Sequence, residues 1–210
     1  MIRDKAFYCK LFSKKDHPAD RLDSFMKSFK PVRETCPCCH ARGTCRSHAY
    51  YSRYLIGLVD GKPVCRRVKI LRVFCTSCRH THAILPDFII PFRQYSLQFI
   101  LKILDDYFTH RSPSRILREY AIDIRQLTAW RKLFQGHKAM WLGVLENKET
   151  VEQSFLSWIA EKDSLSDFLG RFYDTLKRSF LQSHANPKAN SDGCALSRTV
   201  SGDPTTQLCE

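Results

Sequence analysis

Two cysteine pairs constrain this chain more than any other feature: Cys36-Pro37-Cys38-Cys39 and Cys75-Thr76-Ser77-Cys78. Each puts thiols at positions i and i+3, a spacing that lets a tight knuckle turn aim both sulfurs at one point. Two such knuckles supply four soft ligands, the set that closes a tetrahedral zinc site. Cys36, Cys39, Cys75 and Cys78 are therefore the expected metal ligands, with Zn2+ as the ion. The alternative, four buried reduced thiols, must explain two paired spacings by chance. Other ligand types crowd the pairs. Cys38 and His40 lie beside the first, His80 and His82 follow the second, and Cys38 could replace either neighbour in a distorted turn. Cys45 with His48 offers a half-site and no second half. Cys9, Cys45, Cys65, Cys194 and Cys209 have no paired spacing and read as free thiols.

The stretch between the pairs predicts a β-hairpin over 48–59 and 63–74. Asp60-Gly61, flanked by β-branched and aromatic residues, marks its turn. Knuckle, hairpin, knuckle is the layout of a zinc ribbon. The second strand carries Arg66, Arg67, Lys69 and Arg72, and the first carries Tyr50, Tyr51, Arg53 and Tyr54. Basic and aromatic side chains mixed on a hairpin can hold phosphates and stack on bases. The same aromatics equally suit the small core of a ribbon.

The segments around the ribbon follow other rules. A basic arm, 1–31, precedes it, with a short helix expected over 21–29 behind a cap at Asp20 or Ser24. The ribbon and an apolar connector fill 32–92; Pro86 and Pro91 forbid a continuous helix there, so 82–92 reads as extended. From Ser96 the apolar period becomes 3.6, with Leu97, Ile100, Leu101, Leu104 and Phe108 on one face. Ser112-Pro113-Ser114 then opens a short helix to Tyr120, Ala121-Ile122-Asp123 turns, and Asp123 caps a helix over 124–134 with Gln126 placed for a capping box. Two short helices around a three-residue turn, behind a supporting helix, form a helix-turn-helix over 93–138. Its second helix turns Leu127, Trp130 and Phe134 inward. Arg125, Gln126, Thr128, Ala129, Arg131 and Lys132 remain outside, and Arg115 lies on the preceding helix. Arg and Gln at a helix N-terminus suit base edges; Arg131 and Lys132 suit phosphates. An ordinary three-helix bundle with a solvated basic face is the plainer reading of the same pattern.

Helices are expected over 139–145, 150–160 and 164–181 within a 139–182 segment. Its aromatic stripe packs inside the chain or against a second subunit. Residues 183–210 turn polar and read as a disordered tail. The fold class is thus α+β, a zinc ribbon followed by an all-α bundle.

Charge points to the partner. The chain has 34 Lys and Arg against 21 Asp and Glu. Residues 1–138 hold 27 basic and 11 acidic side chains, whereas 139–210 hold 7 and 10. A basic first two-thirds suggests a polyanion bound at one end, double-stranded DNA above all. The first fifteen residues carry charge throughout, so no secretory signal is expected, and no stretch approaches the ~18 apolar residues of a membrane span. A cytoplasmic, nucleoid-associated protein in a reducing compartment follows.

The run from Arg72 to Phe92, with the upstream Cys36-Pro-Cys-Cys39, resembles a family of small bacterial proteins of unassigned function that couple a zinc ribbon to a helix-turn-helix. That architecture is similar to the N-terminal DNA-binding part of insertion-sequence transposases. The resemblance covers about residues 32–184 and implies DNA binding and a link to mobile elements. In such units a glycine is common where this chain has Ala121. No enzyme is expected. The ~70 residues after the helix-turn-helix read as helices, without a strand-borne acidic triad. His80-Thr-His82 lacks the Glu of a zinc deaminase and lies on the wrong side of its Cys pair. Four cysteine ligands leave no open position for water. The reading is a zinc-dependent DNA-binding protein, associated with transposition or acting as a transcriptional regulator. The alternative is a protein-interaction module whose ribbon docks a transposase.

Overall fold

The computed structural model describes residues 17–145, 151–159 and 164–183. Phe7, Tyr8, Cys9 and Phe12 of the arm, together with Cys194 and Cys209 and nearly all of the expected tail, lie outside the described residues. The architecture is α+β: among the described residues, a three-stranded antiparallel sheet follows one α-helix flanked by two short 3-10 turns, and the remaining helices come after it.

The sheet is a long hairpin with a short third strand. β1 (Cys45–Val59) and β2 (Lys62–Cys75) pair antiparallel from Cys45 opposite Cys75 to Val59 opposite Lys62. Asp60 and Gly61 make the turn with φ of 48° and 75°. Two consecutive left-handed residues give the turn whose twist matches that of the strands. β3 (Thr81–Ala83) pairs with β2, His82 opposite Val73. This strand lies where only an extended connection was expected. The connector is then deeply buried from Ile84 to Pro91, with Ile84, Phe88, Ile89 and Ile90 all in the core, and Phe92 at its end is exposed.

Two apolar clusters meet at the hairpin. The first joins Leu55, Val68 and Ile70 to Leu22 and Met26 of α1 (Leu22–Ser28) and to Ile84, Phe88 and Ile89. The cap before α1 differs from the one expected. His17 is buried and its Nδ1 accepts from Ala19 N at 3.0 Å, while Asp20 accepts from His17 N at 2.8 Å. His17 Nε2 also lies 3.1 Å from Val64 O, so the cap is stitched to β2. Gly57 makes this approach possible, because a Cβ there would sit 2.8 Å from both His17 Nε2 and Pro18 Cδ.

The second cluster is helical, and Ile56 of β1 belongs to it. Ile56 N donates to Gln94 O and Ser96 N donates to Ile56 O, each at 2.8 Å. These bonds fix the entry to α2 (Leu97–Phe108), whose first turn is capped by Ser96 Oγ on Phe99 N. α3 (Pro113–Tyr120) begins at its Ser112 cap with a proline in the first turn. Ala121 then takes the left-handed conformation, φ 50° and ψ 46°, at a cost of about 1–2 kcal/mol relative to glycine-like freedom. α4 (Ile124–Gly136) starts at Asp123, whose Oδ1 accepts from Gln126 N at 2.7 Å.

Asp106 holds α2 to α3. Its buried carboxylate accepts from Lys102, Arg111 and Tyr120, and Arg111 also reaches Glu119. Burial alone would raise its pKa, but the Lys102 and Tyr120 bonds hold it below the usual carboxylate range. Trp130 on α4 packs edge-on against Tyr95 with ring centres 4.9 Å apart.

α5 (Lys138–Leu145), α6 (Glu152–Ile159) and α7 (Ser164–Leu176) complete the bundle. Trp141 stacks on Phe155 at 4.3 Å, and Phe168, Phe172 and Phe180 close around them. The aromatic stripe therefore packs within the chain. α7 ends at Leu176, five residues short of the expected 181, because Lys177 turns left-handed at φ 53°. Phe180 and Leu181 return to the core from outside the helix. Among the described residues no helix is long and apolar enough to cross a membrane.

Candidate metal centre

The hairpin base brings the two knuckles together. They are built alike. His40 N donates to Cys36 O and Arg79 N to Cys75 O, each at 2.9 Å. Cys36 N returns to Ala41 O at 3.0 Å and Cys75 N to His80 O at 2.9 Å. His40 and Arg79, each one residue past the second thiol, are both left-handed.

Inside these turns the sulfurs of Cys36, Cys39, Cys75 and Cys78 all lie within 4.8 Å of one another. Cys36 Sγ is 3.6 Å from Cys78 Sγ, and Cys39 Sγ is 3.7 Å from Cys75 Sγ. Metal–sulfur bonds of ~2.3 Å at tetrahedral angles would separate the sulfurs by about 3.8 Å. All four thiols are free, and their donor set and spacing fit a metal ion. Cys36 and Cys75 are buried, Cys78 is half-buried and Cys39 is exposed.

The surroundings prepare these thiols unequally. Burial opposes ionisation of Cys75, but the Thr44 hydroxyl at 3.2 Å and the backbone N–H groups of Cys78 and Ser77 pull its pKa down to about 6. Burial pushes the Cys78 thiol up, and three neighbouring thiols add to that. Four converging thiolates repel one another, so a cation at their centre is what makes the full anionic set stable.

The flanking candidates divide. His82 is buried beside the centre with Nε2 3.3 Å from Cys36 Sγ, and burial lowers its pKa to about 4. It reads as a neutral partner of a thiolate. Cys38 offers its backbone N–H to Cys36 Sγ at 3.4 Å and turns its sulfur toward His80 Nδ1 at 3.7 Å. His40 serves the turn through its backbone. Cys45, opposite Cys75, is kept a thiol by burial and adjacent sulfurs, its pKa raised to about 11. His48 lies against the Phe74 ring. Cys65, expected to be a free thiol, is disulfide-bonded.

The basic residues expected to contact a polyanion do not form one patch. Directly opposed residues of an antiparallel pair share a face. Arg67 pairs with Tyr54 and Lys69 with Ser52, so these four share a face with Tyr50, and Tyr50 and Tyr54 are exposed. Arg66 and Arg72 point to the opposite face, where Arg66 meets Asp20 and Arg72 bonds Thr81 Oγ1 at 2.6 Å. On α4, Leu127, Trp130 and Phe134 are buried, as their spacing predicts. Arg125, Thr128, Ala129 and Lys132 line a shallow open depression together with Ile124, which is 54% exposed. Ile124 was assigned no part in this face by sequence reasoning; its place in the first turn beside Arg125 is the signal that could have found it. Arg131 turns away from that face, donating to Tyr107 OH at 2.6 Å with its guanidinium over the Tyr107 ring. Gln126 is half-buried, and Arg115 is exposed in a loose pair with Glu119.

Residues 36–122 match the family model described as a domain of unknown function, DUF6431. The matched span opens at Cys36, the first thiol of the cluster, and closes just before the Asp123 cap of α4. No curated protein and no solved structure matches the chain.

Proposed function

We propose that this is a zinc-dependent DNA-binding protein without a catalytic domain. In this reading the hairpin and its knuckles are a zinc ribbon, and α2, α3 and α4 are a helix-turn-helix that presents α4 to a major groove. Zinc is favoured by a donor set made only of thiolates at tetrahedral spacing. The observation that carries the DNA reading is the outer stripe of α4. Arg125, Thr128, Ala129 and Lys132 fall at helical spacing on one open face, beside an exposed Ile124 and without an acidic residue among them. Arg125 in the first turn can pair with guanine, and Ile124 can meet a thymine methyl. Arg67 and Lys69 add phosphate contacts from the hairpin.

The resemblance to transposase DNA-binding parts makes a mobile-element role, or a transcriptional regulator, the natural setting. Flanking transposase genes or inverted repeats would favour the former. A second reading has its own support. The exposed Tyr50 and Tyr54 on the hairpin also suit docking of a protein partner such as a transposase. Titration with duplex DNA at increasing salt separates the two. Binding that falls steeply with salt is expected, because released counterions dominate. Absent or salt-independent binding would leave the docking reading in its place.

A further inference from the structure

The knuckles bring together a second group of ligand atoms, which shares Cys78 with the four-thiol centre and adds Cys38 and His80, two side chains that centre does not use. The sulfurs of Cys38 and Cys78 and a ring nitrogen of His80 all lie within 4.8 Å of one another. Cys38 is a free thiol, and its sulfur lies 3.7 Å from His80 Nδ1. All three residues are half-buried, so the group opens toward solvent, unlike the buried Cys36 and Cys75.

We propose that Cys38, Cys78 and His80 form a second site for a thiophilic cation, joined to the first through Cys78 Sγ as a bridging thiolate. The proposal rests on the reading of Cys36, Cys39, Cys75 and Cys78 as a metal centre. Three features carry it. Cys38 is divided between two tasks: its N–H serves Cys36 Sγ, while its side chain leaves the first centre for His80. His80 is fixed by the second knuckle, since its carbonyl accepts from Cys75 N. Cys78 belongs to both sets. A thiolate sulfur has lone pairs for two metals, and one divalent ion leaves four thiolates with excess negative charge. A second cation on Cys78 and Cys38 reduces that excess. Two sulfurs and one imidazole select soft or borderline ions over Mg2+ or Ca2+. They leave a position open to water or an exogenous ligand, which makes this the exchangeable site of the pair.

The test is a Cd2+ titration of the full chain under reducing conditions, with bound ions counted by native mass spectrometry. The intact chain should take two ions, the second more weakly held. Cys38→Ser and His80→Ala should each stop at one, with the far-ultraviolet spectrum unchanged, and Cys194→Ser should still take two. An intact chain that saturates at one ion overturns the second site and leaves the first standing. Two ions retained in Cys38→Ser overturns it as well. Loss of both ions in Cys38→Ser and His80→Ala would assign these residues to the first centre and overturn the two-site arrangement. An intact chain that takes none overturns the four-thiol reading itself.

Discussion

His40 and Arg79 adopt the same left-handed backbone, φ 60° and 61°, at equivalent places in two separate turns. Each donates its N–H to the carbonyl of the first cysteine of its pair. The two knuckles are therefore one local structure made twice, and this sets which thiols are equivalent. Cys36 corresponds to Cys75, and Cys39 to Cys78. Replacing one thiol from either knuckle should damage the centre alike. Cys39→Ser and Cys75→Ser should each lower the metal content of purified protein sharply, and chelation should loosen the hairpin base. Cys194→Ser should match the parent. Elemental analysis beside limited proteolysis reads both effects, and reduced protein prepared without any metal would remove the basis of this centre.

The buried imidazole of His137 gives the fold a pH dependence of known sign. Burial, then the nearby Arg178 guanidinium at 3.1 Å, lowers its pKa to about 4 from an ordinary 6.5. Between these values the unfolded chain takes up a proton that the folded chain refuses, so stability rises with pH. The contribution is complete above about pH 6.5 and is lost as pH falls toward 4, by up to about 3 kcal/mol. Urea melts of the parent and of His137→Gln across that window should diverge, the variant losing less stability on acidification. Thiols also recapture protons in acid and release metal, but they do so in both proteins. Equal slopes for parent and variant would show that His137 titrates normally.

Gly57 tests how the N-terminal segment is held. A Cβ at Gly57 meets His17 Nε2 and the Pro18 ring, neither of which can retreat while His17 caps its turn and bonds Val64. Gly57→Ala should release residues before α1 and cost about 1–3 kcal/mol. Faster amide exchange at Ala19 and Asp20, with α4 unaffected, is the expected pattern. An unchanged melt would mean the cap moves aside freely.

What was legible in the sequence follows the range of the forces involved. Asp60-Gly61, Ser96, Ser112 and Asp123 each act within a few residues, and the hairpin and the helix starts fall where they direct. The facing of Leu127, Trp130 and Phe134 is likewise local periodicity. Contacts between distant segments were not legible. The Arg66 pairing with Asp20 and the Arg131 bond to Tyr107 remove two basic residues from the surface they were expected to serve. The division of Arg66 and Arg72 from Arg67 and Lys69 was within reach, because strand side chains alternate. β3 was missed because Thr81-His82-Ala83 is too short to show an alternating pattern, and its pairing with β2 is a contact between segments. The end of α7 was missed because the aromatic pattern continues to Phe180 after the helix has stopped.

The α4 face can be tested residue by residue, because neighbours on that helix have different tasks. Arg125 is exposed in the first turn, where a major-groove helix meets base edges. Arg125→Ala should keep the fold and lose about 1–3 kcal/mol at one base position, relaxing the preference there. Lys132→Ala should weaken binding evenly across sequences and reduce the salt slope by about 1. Arg131→Ala should instead lower the melting temperature, since its guanidinium braces Tyr107. Trp130→Ala removes an indole that is 2% exposed and wedged against Tyr95 and Phe99, and should cost about 3–5 kcal/mol and abolish binding by unfolding the unit. A selection on random duplex DNA, run beside thermal melts, separates the four. If Arg125→Ala leaves the selected motif intact and Lys132→Ala leaves the salt slope intact, α4 does not face DNA. The hairpin face of Tyr50, Tyr54, Arg67 and Lys69 would then be the surface to alter next.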